Sequence, residues 1–220
     1  MDLKLNLFEN AIDSLNEARK VLVEEVGSTL HSIAQDVKIQ IEFNPNTIAE
    51  YRLIGYENRL LKREDFSNDK IDAGEIGAGH SVTALYEIAL KGEGGERMEA
   101  LRYSKNKTKT KSKNKELAFL RLRYKLKHGD KSRLIETPLL KSAILDDVSQ
   151  TSNNYRYSAA VAAFGQLLRG GQYTEKFDYQ QVKTLANQAR GEDRFGYRGG
   201  FVSLVDLADA LTTKPVETKE

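Results

Sequence analysis

Three features that would narrow the class of this chain are missing from its sequence. None of its 220 residues is cysteine, so disulfides and thiolate metal sites are excluded, although this does not fix the compartment. No apolar run reaches the roughly 18 residues that a membrane-spanning helix needs. The start, MDLKL, lacks the long apolar core of a signal peptide. We expect either a cytoplasmic protein or a piece of a longer precursor, and we favour the second.

The sequence also lacks an excess of charge of one sign. The 34 basic and 32 acidic side chains leave a net charge of only +2, which gives no general argument for nucleic-acid binding. A charged fraction of 30% and a hydrophobic fraction of 40% are typical of a globular protein. The length suits one large domain or two small ones.

The most distinctive segment is a glycine-rich run at residues 72–87, DAGEIGAGHSVTALYE. It lacks the Gly-Lys-Ser/Thr ending of a phosphate loop, and it precedes a predicted strand rather than a helix, unlike a dinucleotide fingerprint. Gly74, Gly77 and Gly79 therefore indicate backbone geometry, such as a bulge or a tight sheet corner. The strand that follows is predicted over residues 80–90.

The hydrophobic periodicity changes twice along the chain. Apolar residues recur at helical spacing over 9–35, alternate in strands, and become helical again after Ser152. Strands are predicted at 37–43, 49–55, 80–90, 117–127 and 132–140, a loop at 56–72, and helices at 155–168, 178–189 and 200–211. Grouped strands with short turns favour an α+β fold, an antiparallel β-sandwich with an N-terminal helix and a C-terminal helical subdomain. The predicted regions are 1–35 (helix), 36–140 (β-sandwich), 141–212 (helical subdomain) and 213–220 (disordered tail).

A lysine-rich loop at 105–115 places lysine at every second position, a pattern that could bind nucleic acid or another anionic polymer. No aromatic side chain interleaves with the lysines to stack on bases. We favour a solvated loop that its like charges hold extended, and we expect no nucleic-acid partner.

An acidic loop at 65–75 offers oxygen ligands of the kind that calcium prefers, with Asp65, Asp69, Asp72 and Glu75 as candidates. The spacing begins like an EF-hand loop. It then fails, because the sixth position is not glycine and the twelfth is not glutamate. We favour a turn in which the acidic and amide side chains bond their own backbone, and we expect no metal or other cofactor.

No catalytic group is apparent in the sequence. His31, His80 and His128 lie far apart and lack ligand spacing, and His80 is expected to be buried with a structural role. There is no nucleophile-elbow pattern, so we do not expect an enzyme. The segment 194–201 is predicted to be a junction between helices, where Asp193 could pair with Arg198.

Several segments together resemble a known family. They are VKIQIEFNP at 37–45, YRLIGYENR at 51–59, NDKIDAGEIGAGHSVTALYE at 68–87, LRYK at 122–125 and GYR at 196–198. In this order they look like the C-terminal region of bacterial von Willebrand factor type A domain-containing proteins of the envelope or lipoprotein kind. The resemblance runs from about residue 13 onward.

The resemblance implies an A domain in the full-length protein, N-terminal to most of this chain, with a metal site built on an Asp-x-Ser-x-Ser loop. Residues 65–69, DFSND, depart from that loop at the last position, so no metal ligand is carried over. The helix at 9–35 would be the last helix of the A domain, and self-association through it is expected. The resemblance further implies a non-enzymatic accessory domain at the cell envelope, with the A domain and an unknown protein as partners.

Overall fold

The computed structural model describes residues 31–55, 63–68, 74–98, 115–126, 129–174 and 177–213. The chain divides into two compact units. The β unit comprises the described residues of Ile33–Ile76 and Ser81–Thr151, and the helical unit comprises residues 152–213 together with Gly77–His80 and residues 31–32. The division falls between Thr151 and Ser152, whereas the sequence pattern placed it at 140/141.

The strands of the structure are β1 (Ser32–Phe43), β2 (Ile48–Ile54), β3 (Gly74–Gly77), β4 (Leu85–Leu90), β5 (Glu116–Lys125) and β6 (Arg133–Leu140). They form a four-stranded sheet in the order β3-β1-β5-β6 and a two-stranded sheet of β2 and β4. The β1–β5, β5–β6 and β2–β4 pairs are antiparallel. The α+β class and the antiparallel β region are confirmed, while the packing of a sandwich stays a prediction.

The start of β1 corrects the first predicted helix. Residues 32–35 belong to the strand, because Gln35 pairs with Lys125 of β5. Asp36 then adopts a left-handed φ of 50°, and the register shifts between Gln35 and Lys38, which marks a β-bulge. Alternation in the sequence is lost at such a bulge, so the strand was predicted only from residue 37. Residues 9–30 of the predicted helix lie outside the described ranges.

The glycine-rich run also differs from its prediction. Gly74–Gly77 itself forms β3, and the next strand begins only at Leu85 rather than at residue 80. Gly79 has a φ of 79° at the turn after β3, a conformation that side chains rarely tolerate. His80 follows this turn and is exposed, so the prediction that it is buried is wrong.

The predicted loop at 56–72 contains a short 3-10 helix, Arg63–Ser67, which packs on one face of the larger sheet. Phe66 is buried there, and the guanidinium of Arg123 lies 5.8 Å from its ring centroid. The buried ammonium of Lys38 donates to the carbonyl oxygens of Asp65 (3.3 Å) and Asn68 (2.5 Å). The Lys38 end of this face of β1 and β5 is therefore covered by a local segment of the chain.

The helical unit contains α1 (Asn153–Leu168), α2 (Tyr179–Gln188) and α3 (Tyr197–Thr213), which confirms the three predicted C-terminal helices. Ser152 caps α1, and Asp178 forms a capping box with Gln181 at the start of α2. The core of this unit consists of Ala160, Val182, Ala186 and Val205, with aromatic side chains of all three helices around it. Within the described ranges, no helix is both long and apolar enough to cross a lipid bilayer.

The predicted junction before α3 is built around Asp193 and Arg198. The Asp193 carboxylate accepts from the backbone N–H groups of Arg198 (3.0 Å) and Gly199 (2.7 Å), so it caps α3 instead of pairing with the Arg198 side chain. That guanidinium donates to the carbonyl of Ala189 (2.8 Å) and to Oδ1 of Asn154 (2.7 Å). One arginine thus ties the end of α2 to the start of α1.

Candidate functional site

The register of the larger sheet places nine side chains in a regular three-by-three array on one of its faces. Side chains directly opposite in an antiparallel sheet point to the same side. Across β1, β5 and β6 the rows are Ile39–Leu122–Ile135, Ile41–Leu120–Thr137 and Phe43–Ala118–Leu139. Eight of the nine are apolar, so this face requires burial against another surface.

One end of the array is covered by the two-stranded sheet. The ring of Phe43 stacks on Tyr51 with centroids 4.3 Å apart and meets Tyr86 edge-on at 5.3 Å. Burial, with a smaller contribution from neighbouring Tyr51, raises the pKa of Tyr86 above its usual value. Ala118, in the same row as Phe43, is only 2% exposed.

Four further apolar side chains of the array are exposed, while Ile41 and Leu122 are half-buried. Exposed fractions are 47% for Ile39, 38% for Leu120, 47% for Ile135 and 43% for Leu139. These four side chains define what we call the open sheet face. Single exposed apolar residues are common in proteins, but several on one face of a sheet, separated here only by half-buried apolar side chains and Thr137, are a feature of interaction surfaces.

On the opposite face β1 and most of β5 carry polar side chains, whereas β6 adds Leu134 and Leu140 there. Lys38, Gln40 and Glu42 of β1 lie opposite Arg123, Arg121 and Phe119 of β5. The 3-10 helix covers the Lys38 end, as described above. The two faces therefore differ in chemistry, and the apolar one is left without an equivalent local cover among the described residues.

A groove of about 520 Å³ lies at the β1–β2 turn. Its charged lining is two carboxylates, Glu42 and Glu116, and the guanidinium of Arg121. Arg121 lies 5.4 Å from the centroid of the Phe119 ring and 3.3 Å from Glu136. No histidine or hydroxyl side chain lines this groove, so its described walls carry no nucleophile with a base beside it.

Two of the four candidate calcium ligands, Asp65 and Glu75, lie among the described residues. Asp69 and Asp72 lie outside the described residues, Glu75 is exposed on β3, and the backbone carbonyl of Asp65 accepts from the Lys38 ammonium. Among the residues that the structure describes, no three or more His, Asp or Glu side chains cluster closely enough to hold a metal ion. Calcium binding therefore stays an untested alternative to the turn favoured from the sequence.

Other predicted sites remain separate. His31 and His80 are both exposed, and His128 is outside the described ranges. Of the lysine-rich loop at 105–115, only Lys115 is described, and it is exposed just before β5. The two described histidines therefore do not form a common site. The prediction for the lysine-rich loop stays untested.

The sequence of β5 indicates an apolar side, which includes Ala118, Leu120 and Leu122. It does not show that part of this side is exposed. The alternation in β5 predicts a strand with one apolar face, whatever covers that face. A further signal was available in β6, where Leu134, Ile135, Leu139 and Leu140 give both faces of a short strand apolar residues. Such a strand is expected to be buried on both sides, whereas all its residues are exposed.

The fold and this face define the class of the protein: an α+β domain with antiparallel sheets, three C-terminal helices and an exposed apolar sheet face. The family described as "Uncharacterized protein YfbK, C-terminal" matches residues 28–211, and the chain belongs to this family. It is 47% identical over 202 residues to the uncharacterized protein YfbK of Escherichia coli (strain K12). The match covers 91% of this chain and 34% of that relative, so the chain spans about a third of its length. No solved structure matches the chain.

Proposed function

We propose that this chain is a non-enzymatic accessory domain of a von Willebrand factor A-type protein of the bacterial envelope, and that its open sheet face carries a protein contact. The contact we propose is with the A domain expected in the same longer protein. The single observation that carries the proposal is the exposure of four aliphatic side chains, Ile39, Leu120, Ile135 and Leu139, on one face of the larger sheet.

The chemistry of the face supports a protein ligand rather than a small molecule. The four side chains are aliphatic, and the array contains no charged group to orient a polar ligand. The cores of protein interfaces are likewise depleted of charge, with aromatic anchors such as Tyr51 nearby. A shallow sheet face also differs from the concave pockets in which small ligands bind.

The non-enzymatic role is supported by the arrangement of the described polar residues. The buried Lys38 and the nearly buried Asp193 are engaged in structural contacts, at the 3-10 helix and at the start of α3. The A-type and envelope assignments are supported by the five sequence segments that resemble that family. The family match, which is to a C-terminal region, fits an accessory position in a longer chain.

Neighbouring residues of β6 offer a matched test. Ile135 lies on the open sheet face and is 47% exposed, while Leu134 points to the opposite face and is 45% exposed. We would measure binding of the chain to the separately produced A domain by calorimetry, with Ile135→Lys and Leu134→Lys variants. A lysine within a buried apolar contact costs about 2 kcal/mol, or roughly 30-fold in Kd.

We expect Ile135→Lys to weaken binding and Leu134→Lys to leave it within about twofold. Both side chains are half-exposed, so both variants should keep the melting temperature of the parent chain. Equal binding by the two variants would show that the sheet face is not the contact. Absence of binding by the parent chain would reject the proposed partner.

A further inference from the structure

The last helix carries a second exposed apolar surface, in the helical unit. Leu204, Leu207 and Leu211 of α3 are 57%, 57% and 66% exposed. With Gly200 before them, their spacing alternates four, three and four residues. This is the spacing of the a and d positions of a coiled coil, which form a narrow stripe along one side of a helix. We call these four residues the leucine seam.

The other sides of α3 contact α1 and α2. Val205 is buried in the core, and Phe201 packs edge-on against Tyr157 and Phe164 with centroids 5.5 and 5.4 Å apart. Toward α2, Asp206 pairs with Lys183 at 2.6 Å. The leucine seam therefore lies outside the contacts that hold the three helices together.

We propose that the leucine seam binds the leucine seam of a second copy of this chain, with the two α3 helices antiparallel. In that arrangement an a position of one helix faces a d position of the other. Leu204 then meets Leu207 of the second copy, twice by symmetry, and Leu211 meets Gly200. The seam is thus complementary to itself, as the two-fold symmetry of a homodimer requires.

Gly200 decides the orientation. A side chain added at this position would meet nothing within 4 Å, so the glycine leaves a notch on the surface of α3. In the antiparallel pair a leucine fills each notch. In a parallel pair the two glycines would face each other and leave a void, which forfeits packing contacts.

The size of the seam sets the strength of the contact. The exposed parts of the three leucines and Tyr197 amount to on the order of 400 Å² per copy, and a dimer would bury on the order of 800 Å² in total. Interfaces of that size are weak and transient. The residues flanking the seam, Ser203, Ala208 and Ala210, are small and uncharged, so neither charge repulsion nor bulk opposes close approach.

The test is sedimentation velocity of the full 220-residue chain from about 5 to about 500 µM, where a weak dimer must depend on concentration. We expect the parent chain to shift from monomer to dimer, and Leu204→Glu to raise the dissociation constant on the order of 100-fold. Leu168→Glu is the matched control, because Leu168 is 60% exposed at the end of α1. This control should dimerise like the parent chain.

Mixing two variants tests the orientation. Leu204→Glu and Leu207→Lys should each dimerise poorly alone, yet an antiparallel mixture regains association because one layer becomes Glu–Lys and the other stays Leu–Leu. A parallel pair forms no Glu–Lys layer on mixing, so its recovery is limited to the loss of like-charge repulsion. Three results would overturn the proposal. The parent chain could stay monomeric, or the mixture could show no recovery. The Leu204→Glu variant could also still dimerise through another surface, such as the predicted helix at 9–35.

Discussion

The bulge in β1 holds a buried ion pair whose removal should destabilise the β unit more than any surface change. The ammonium of Lys125 lies 2.5 Å from the carboxylate of Asp36, and their side chains are 11% and 14% exposed. The perturbation is Asp36→Asn. Asparagine tolerates the left-handed φ of this position and nearly keeps the shape, so the variant changes the charge and little else.

The expected cost follows from the burial of the pair. Removing one partner of a buried ion pair leaves the other charge without compensation and costs about 3–5 kcal/mol. The asparagine oxygen can still accept one hydrogen bond, so we expect the lower end, about 3 kcal/mol. Removing both charges with Lys125→Met should recover about 2 kcal/mol, because a neutral pair leaves no buried charge.

The assay is native-state hydrogen exchange of peptides from β1 and β5, which reports the free energy of opening of that region. Peptides from α1 and α2 serve as an internal reference in every sample. Arg121→Gln is the control variant, since Arg121 and Glu136 of the same sheet form an exposed pair at 3.3 Å. An exposed pair contributes less than about 1 kcal/mol.

Two results would refute this reasoning. If Asp36→Asn changed the opening free energy no more than Arg121→Gln, the Lys125 ammonium would find water or another partner at no cost. If the double variant cost as much as the two single changes added together, the side chains would not be coupled.

Three further predictions concern polar contacts that hold short segments. Burial opposes ionisation of Asp193, but the backbone N–H groups of α3 and the Arg190 guanidinium outweigh it, so its pKa lies below 3.8. Asp193→Asn should therefore cost about 1–2 kcal/mol at neutral pH, and circular dichroism melts should show the difference vanish as pH falls through the lowered pKa of this carboxyl. Arg198→Lys should cost about 2 kcal/mol in the same melts, because one ammonium cannot replace a guanidinium that spans α1 and α2. Lys38→Met should cost about 1–3 kcal/mol and accelerate hydrogen exchange at 63–68, where its two carbonyl acceptors lie.

The sequence determined the class of fold and most element positions in the described ranges. Alternation and helical spacing are set by how side chains leave a strand or a helix, so β2, β5, β6 and the three C-terminal helices followed from the pattern. The caps found at Ser152 and Asp178 are local as well, because each side chain bonds a backbone N–H three residues on. The errors came where local signals fail: at the Asp36 bulge, where pairing with β5 extends the strand, and in the glycine run, where a sheet neighbour makes a strand of Gly74–Gly77.

Only the tertiary structure decided which apolar surfaces are covered. The pattern of β5 predicts an apolar face and the spacing of α3 predicts an apolar stripe, but neither states what packs on it. Burial depends on residues distant in sequence, such as Tyr51 over Phe43 at one end of the array and Phe164 beneath Phe201 in the helical unit. The open sheet face and the leucine seam are the apolar surfaces that those contacts do not cover. The sequence of one segment cannot show this, because the free energy of burial depends on both surfaces that come into contact.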